Sequence, residues 1–126
     1  MASSFLIKRF FDFLVEKNLS EAEKILEKIR GEGSESEWDK GYILALEGLL
    51  SAYKMKDDNY VFINKIKPDK SYLKNLRLDF EKRTKNIASS EFDKGYFSAW
   101  LEFTRYLETL SQAKLASIFE VKEKKS

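Results

Sequence analysis

The chain has 126 residues with 23 basic and 21 acidic side chains, and it contains neither histidine nor cysteine. These absences exclude disulfide bonds, Ser-His-Asp and Cys-His catalytic systems, and zinc sites built from Cys and His. A chain of this length folds as one domain that buries most of its apolar surface without such crosslinks. We therefore expect a single domain over residues 1–126, with no cofactor and no metal site.

The apolar residues give no sign of a membrane segment. No window reaches the ~20 apolar residues needed to cross a bilayer. Lys8, Arg9 and Asp12 interrupt the apolar N-terminus, which argues against a secretory signal. We expect a cytoplasmic protein with no membrane partner. Abundant Lys and Glu, with Gln112 as the only glutamine, form a pattern typical of hyperthermophiles.

The first predicted helix spans about residues 4–17. Apolar side chains cover more than half of its helical wheel, which indicates a helix that is covered on two sides. Such a helix lies either at the centre of the domain or at a subunit interface. The candidate protein-interface residues are Phe10, Phe11 and Phe13.

The next elements are bounded by capping and breaking signals. The Ser-Glu-Ala-Glu sequence at residues 20–23 matches a capping box, and the helix that it starts should end at Gly31 and Gly33. A third helix is predicted from Ser36 to about Met55. Residues 60–66 fit either a short helix or an extended connector.

Pro68 favours a new helix that starts near residue 69 or 70. This fourth helix, residues 69–86, places Leu73, Leu76, Phe80 and Ile87 on one face. The last helix starts at Ser90 and, if continuous to about residue 119, is about 45 Å long. The charged residues 121–126 are expected to fray.

A repeated heptapeptide defines the architecture. Residues 36–42 recur 54 positions later as residues 90–96, with six of seven residues identical. Further matches at the same offset extend the internal repeat to residues 19–53 and 73–107. We predict an all-α fold, a compact array of five or six helices built from two duplicated helical hairpins plus an N-terminal helix. The structural repeat motif comprises Ser36, Trp38, Asp39, Gly41 and Tyr42, and again Ser90, Phe92, Asp93, Gly95 and Tyr96.

Each motif position has a structural interpretation. The serines are expected to be N-caps, with the aspartates three residues later near the positive end of the helix dipole. The aromatic residues share a face that meets a partner helix. A glycine inside a helix costs up to ~1 kcal/mol, so its recurrence indicates a close approach of another backbone. The alternative is an anion site present twice, although no glycine-rich phosphate loop precedes either helix.

Charge is distributed unevenly along the chain. Residues 1–53 carry seven basic and ten acidic groups, residues 54–85 carry ten and five, and residues 86–126 carry six of each. The basic region 54–85 predicts phosphate contacts, and its alternative interpretation is a solvated helix face. The candidate nucleic-acid-binding residues are Lys70, Lys74, Arg77, Lys82, Arg83 and Lys85.

No group of residues supports a catalytic mechanism, so no catalytic residue is assigned. The acidic pair at residues 57–58 lacks the spacing and glycine of a calcium loop. We expect a non-enzymatic helical-hairpin interaction or scaffold module that acts through protein–protein contacts, with a homodimer as one form. The alternative is an RNA- or DNA-binding accessory protein that uses the basic 54–85 region.

Overall fold

A computed structural model describes residues 3–55 and 69–115. These ranges are all-helical, which confirms the predicted fold class, and a short helical turn at residues 112–115 follows the five main helices. The predictions for residues 60–66 and 121–126 lie outside the described residues. The helices are α1 Ser4–Val15, α2 Leu19–Glu32, α3 Glu37–Lys54, α4 Lys70–Lys85 and α5 Glu91–Thr109.

Consecutive helices α2 and α3 form an antiparallel pair. Lys54 near the end of α3 reaches Glu23 near the start of α2 at 3.2 Å. Arg30, near the end of α2, binds Glu47 of α3 at 2.7 Å. The apolar stripe Ala22, Ile25, Leu26 and Ile29 of α2 is buried, as its 3.6-residue spacing predicts.

Helices α4 and α5 form a second antiparallel pair. The Lys70 ammonium group at the start of α4 donates to the carbonyl oxygens of Glu108 and Leu110 at the end of α5. Further along, the Phe80 ring stacks on Trp100 with 6.2 Å between centroids. The two pairs match the two predicted hairpins in position, while their origin by duplication stays a prediction.

The centre of the molecule is the contact between α3 and α5. A methyl carbon added to Gly41 would lie 2.9 Å from the carbonyl carbon of Phe92, and one added to Gly95 would lie 2.8 Å from that of Trp38. The contact is reciprocal because Phe92 and Trp38 are themselves equivalent positions of the repeat. The predicted close backbone approach is therefore confirmed at both glycines.

The two central helices run in the same direction. Their N-terminal parts meet at the two glycines. Near their C-terminal ends, Tyr53 of α3 lies close enough to Tyr106 of α5 to help raise the pKa of Tyr106 electrostatically. Ala45 and Ala52 of α3 are buried. Gly48, in contrast, has open space where a side chain would stand, so the small residues of α3 do not share one environment.

Helix α1 covers the remaining side of the core. It packs on α2, and its Phe11 ring contacts the rings of Phe103 and Tyr106 of α5 at 5.1 and 5.4 Å between centroids. Phe10 and Leu14 are fully buried beside it. Helix α1 therefore contacts both pairs, in addition to the central contact between α3 and α5.

The junction of α1 and α2 corrects two predicted boundaries. Lys17 adopts a left-handed conformation with φ of 63°, its N–H donates to the carbonyl of Leu14, and the N–H of Asn18 donates to that of Phe13. This pair of bonds is a Schellman motif, which ends α1 at Val15. Helix α2 then begins at Leu19, so Ser20 lies in its first turn and the predicted capping box was wrong.

The end of the second pair differs from the prediction as well. The backbone of Leu110 is extended, so α5 ends at Thr109 and does not continue to residue 119. Ser111 starts the following turn, because its hydroxyl oxygen accepts from the N–H of Lys114. Ile87 lies beyond the end of α4 and is 93% exposed, so its predicted place on the apolar face of α4 was also wrong.

Candidate functional site

Two tyrosine–carboxylate pairs are the most conspicuous polar contacts between helices. The Tyr42 hydroxyl of α3 donates to Glu102 of α5 at 2.5 Å. The Tyr106 hydroxyl of α5 donates to Asp12 of α1 at 2.5 Å. Burial, reinforced by the neighbouring carboxylate, raises the pKa of Tyr42 and that of Tyr106 far above their ordinary value. Both phenols therefore stay protonated at neutral pH and join helices as hydrogen-bond donors.

The N-termini of α3 and α5 carry the predicted caps. Ser36 accepts from the N–H of Asp39, and Ser90 accepts from the N–H of Asp93. In α3 the Asp39 carboxylate is buried and accepts from both the N–H and the hydroxyl of Ser34 at 2.8 Å. The backbone hydrogen bond from Ser34 lowers the pKa of Asp39. The protein's own carboxylate thus occupies the positive end of α3, which favours the structural interpretation over an anion site.

Because the chain has no histidine or cysteine, a metal ion would need several carboxylates close together. Within residues 3–55 and 69–115, no three Asp or Glu side chains are grouped so that they could hold a metal ion. The acidic cluster at residues 57–58 lies outside these ranges.

The predicted apolar interface on α1 is divided between core and surface. Phe10 and Phe11 are buried inside the single chain, so they are not available to a partner. Phe13 is half-buried and packs against the core from outside. The wide apolar face of α1 is explained chiefly by its contacts with both α2 and α5.

Two side chains on α1 that were not predicted, Phe5 and Arg9, form an outward row with the predicted Phe13. The Arg9 guanidinium lies over the ring of Phe5 at 5.7 Å and over the ring of Phe13 at 5.2 Å. Phe5 is 68% exposed. We call Phe5, Arg9 and Phe13 the α1 outer stripe. Their spacing of four residues was a visible signal, because positions i, i+4 and i+8 share one face of a helix.

Three of the six predicted nucleic-acid-binding residues make contacts within the chain. Lys70 binds carbonyl oxygens at the end of α5, and Arg77 binds Glu108 at 2.7 Å. Arg83 binds Asp79 at 3.2 Å and lies over the ring of Phe97. These cations serve the contact between α4 and α5 or the surface of α4 itself.

The other three predicted residues share the exposed side of α4. Lys74, Lys82 and Lys85 are exposed and form no ion pair with the described residues. Leu78, which is also exposed, lies between Lys74 and Lys82 on the helix. At 100° per residue these four side chains fall within an arc of about 80°. We call Lys74, Leu78, Lys82 and Lys85 the α4 outer face.

Comparisons with known proteins do not identify the chain. No protein-family model matches it, and neither the curated proteins nor the solved structures yield a significant match. No helix in the described ranges combines the length and apolarity that crossing a bilayer demands. Any function must therefore be argued from the surfaces of the chain itself.

Proposed function

We propose that the protein is a non-enzymatic interaction module that acts through protein–protein contacts, with the α1 outer stripe as its anchor. The observation that carries the proposal is the outward arrangement of the exposed Phe5 and the half-buried Phe13 around Arg9. Aromatic residues and arginine are enriched at protein interfaces and at the few positions that dominate binding energy. The stripe combines both residue types on one helix face.

The chemistry of the stripe fits a protein partner. Full burial of one phenylalanine side chain stabilises a complex by about 1.5–3 kcal/mol. The Arg9 charge is not neutralised by an ion pair among the described residues, whereas the neighbouring Lys8 is paired with Asp12 at 3.2 Å. A partner that places a carboxylate over Arg9 and apolar side chains over the rings would satisfy both features.

The size of the stripe limits its role. Three side chains cover much less than the ~800 Å² that each partner buries in a standard protein interface. The stripe is therefore the centre of a contact, and the partner, either another protein or a second copy, must extend beyond it. The absence of histidine and cysteine, and the structural hydrogen bonds of Tyr42 and Tyr106, support a non-enzymatic role.

A matched pair of variants tests the proposal. The double variant Phe5→Ser/Arg9→Glu changes the stripe, while Leu44→Ser/Lys40→Glu makes the same chemical changes on an exposed face of α3. Sedimentation velocity would measure self-association, and affinity capture from the native host would measure partners. We expect the first variant alone to lose self-association or a specific partner. Identical behaviour of wild type and both variants, at equal melting temperatures, would contradict the proposal.

A further inference from the structure

We infer that the α4 outer face binds the phosphate backbone of a nucleic acid. This site is separate from the α1 outer stripe and goes beyond the proposed protein contact. Lys74, Lys82 and Lys85 leave three positive charges on one face of a single helix, without ion pairs to the described residues. Lysine and arginine contacts to phosphates supply most of the affinity in nonspecific nucleic-acid binding.

Most of the lysines outside α4 that the structure describes have a carboxylate partner. In the first pair, Lys24 binds Glu21 and Lys54 binds Glu23, each at 3.2 Å. On α4 the two available carboxylates are already engaged. Asp79 binds Arg83, and Glu81 binds Arg77 and Arg105. The outer lysines therefore keep their full charge for a ligand.

Helix packing does not require so much positive charge. Helix α2, which occupies the matching place in the first pair, has three basic and four acidic residues, for −1. Helix α4 has six basic and two acidic residues, for +4. Lys82 and Lys85 gain from the dipole at the helix C-terminus, but Lys74 lies in the second turn and gains nothing there. The excess charge calls for an explanation beyond the fold.

The composition of the face favours phosphates over a protein. Lysine is depleted at protein–protein interfaces, and a single exposed leucine does not form an apolar interface core. The three ammonium groups sit on flexible stems along about 16 Å of helix axis. This length and flexibility suit several phosphates along one strand.

Fluorescence anisotropy with labelled single-stranded RNA and with labelled duplex DNA tests the inference. The variant Lys74→Gln/Lys82→Gln/Lys85→Gln removes the three positive charges of the α4 outer face without adding acidic groups to the helix end. The control Lys24→Gln/Lys28→Gln/Lys40→Gln removes three exposed lysines from α2 and α3, so its net charge is the same. We expect wild type and control to bind at low salt and the first variant to lose binding.

The salt dependence gives a quantitative criterion. Three neutralised phosphates imply a slope of log K against log salt near −2.7 on duplex DNA and about −2.1 on single strands. Affinity for duplex DNA should then fall about 40-fold between 50 and 200 mM salt. A single Lys82→Gln change should make the slope shallower by roughly one unit.

Three outcomes would overturn the inference. The first is no anisotropy change with either nucleic acid at low salt. The second is equal binding by wild type and the variant of the α4 outer face, which would place the contact elsewhere. The third is displacement of the nucleic acid by polyglutamate at equal charge concentration, which would assign the face to an acidic protein segment. None of these results bears on the α1 outer stripe, so the two proposals fail separately.

Discussion

The two antiparallel pairs are alike where they face each other and different where they face outward. Both begin their second helix with a capping serine, and both place a glycine against the backbone of the other. The first helices of the pairs differ in charge, because α2 as a whole carries −1 and α4 carries +4. The facing backbone constrains the residues at the glycine contact, whereas nothing in the packing constrains the exposed residues of α2 and α4. The differences between the pairs are therefore the better guide to function.

One polar contact also separates the pairs. Tyr42 of α3 is hydrogen-bonded to Glu102 of α5. At the offset of 54 residues, Tyr42 corresponds to Tyr96 and Glu102 corresponds to Gly48. The mirror contact is thus missing, and no hydrogen bond from the Tyr96 hydroxyl is found among the described residues. The central contact is symmetric in its glycines and asymmetric in its tyrosines.

The largest expected effect comes from the reciprocal glycines. In Gly41→Ala or Gly95→Ala the new methyl group would overlap a carbonyl group of the facing helix, and backbone cannot move aside as a side chain can. Overpacking of this kind costs roughly 3 kcal/mol. Urea unfolding should give similar losses for the two variants. A large loss at one glycine and none at the other would show that the contact is not reciprocal.

Gly48→Ala is the matched control within the same helix. Its added methyl group meets open space, so only the helix propensity of alanine applies. We expect a gain of about 0.5–1 kcal/mol in the free energy of unfolding. A loss would mean that Gly48 is packed in solution.

The equivalent residues Tyr42 and Tyr96 test whether the contact between α3 and α5 is asymmetric. Tyr42→Phe removes the donor to the half-buried Glu102 carboxylate and should cost about 2 kcal/mol, since hydrogen bonds to charged groups are worth about 1.5–3 kcal/mol. Tyr96→Phe, its equivalent in the second pair, should leave the free energy of unfolding nearly unchanged. The same urea experiment measures both. Equal losses would contradict the asymmetry.

The alkaline limb of the stability profile provides a second measure of Tyr42. Its pKa is raised in the folded protein, so above pH 10 the unfolded chain loses the phenolic proton while the folded chain keeps it. The stabilisation is therefore complete below pH 10 and declines as pH rises. Tyr42→Phe should make this decline shallower by up to ~1.4 kcal/mol per pH unit, as urea unfolding at a series of alkaline pH values would measure.

The two serine caps should contribute less than the reciprocal glycines and the Tyr42 hydroxyl. Ser36→Ala and Ser90→Ala each remove one hydrogen bond to a free amide at the helix start and should cost about 1 kcal/mol. Thermal melting of both single variants checks this. Because the caps occupy equivalent places, we expect losses of similar size. Replacement by glycine, which also caps, should restore part of the loss.

The sequence predicts best where the signal is local or repeated. The serine caps are predictable because each serine bonds to an N–H only three residues away. The glycine contact is predictable because glycine, which destabilises a helix, occurs at the same position of both repeats. The helix boundaries near Lys17 and Leu110 were predicted less well. Lys17 adopts a conformation that favours glycine, and only the two backbone hydrogen bonds of the Schellman motif reveal it.

The candidate surfaces depend on contacts between distant residues, which the sequence does not display. Lys70 and Arg77 were predicted as surface cations, but their partners are carbonyl and carboxylate groups of α5, more than 30 residues away. The exposed row through Arg9 was not predicted because apolar side chains cover more than half of α1, and the sequence does not show which of them face outward. Its pattern becomes informative only once α2 and α5 are known to cover the other sides.

Photocrosslinking from the surface of α1 tests the central functional claim most directly. A benzophenone amino acid would replace Phe5 in one protein and Leu44 in a control, both at exposed apolar positions. After irradiation in the native host, the account predicts a discrete crosslinked protein, or a crosslinked dimer, from position 5 and none from position 44. Equal crosslinking from both positions, or none from position 5, would contradict the α1 outer stripe as a protein-binding surface.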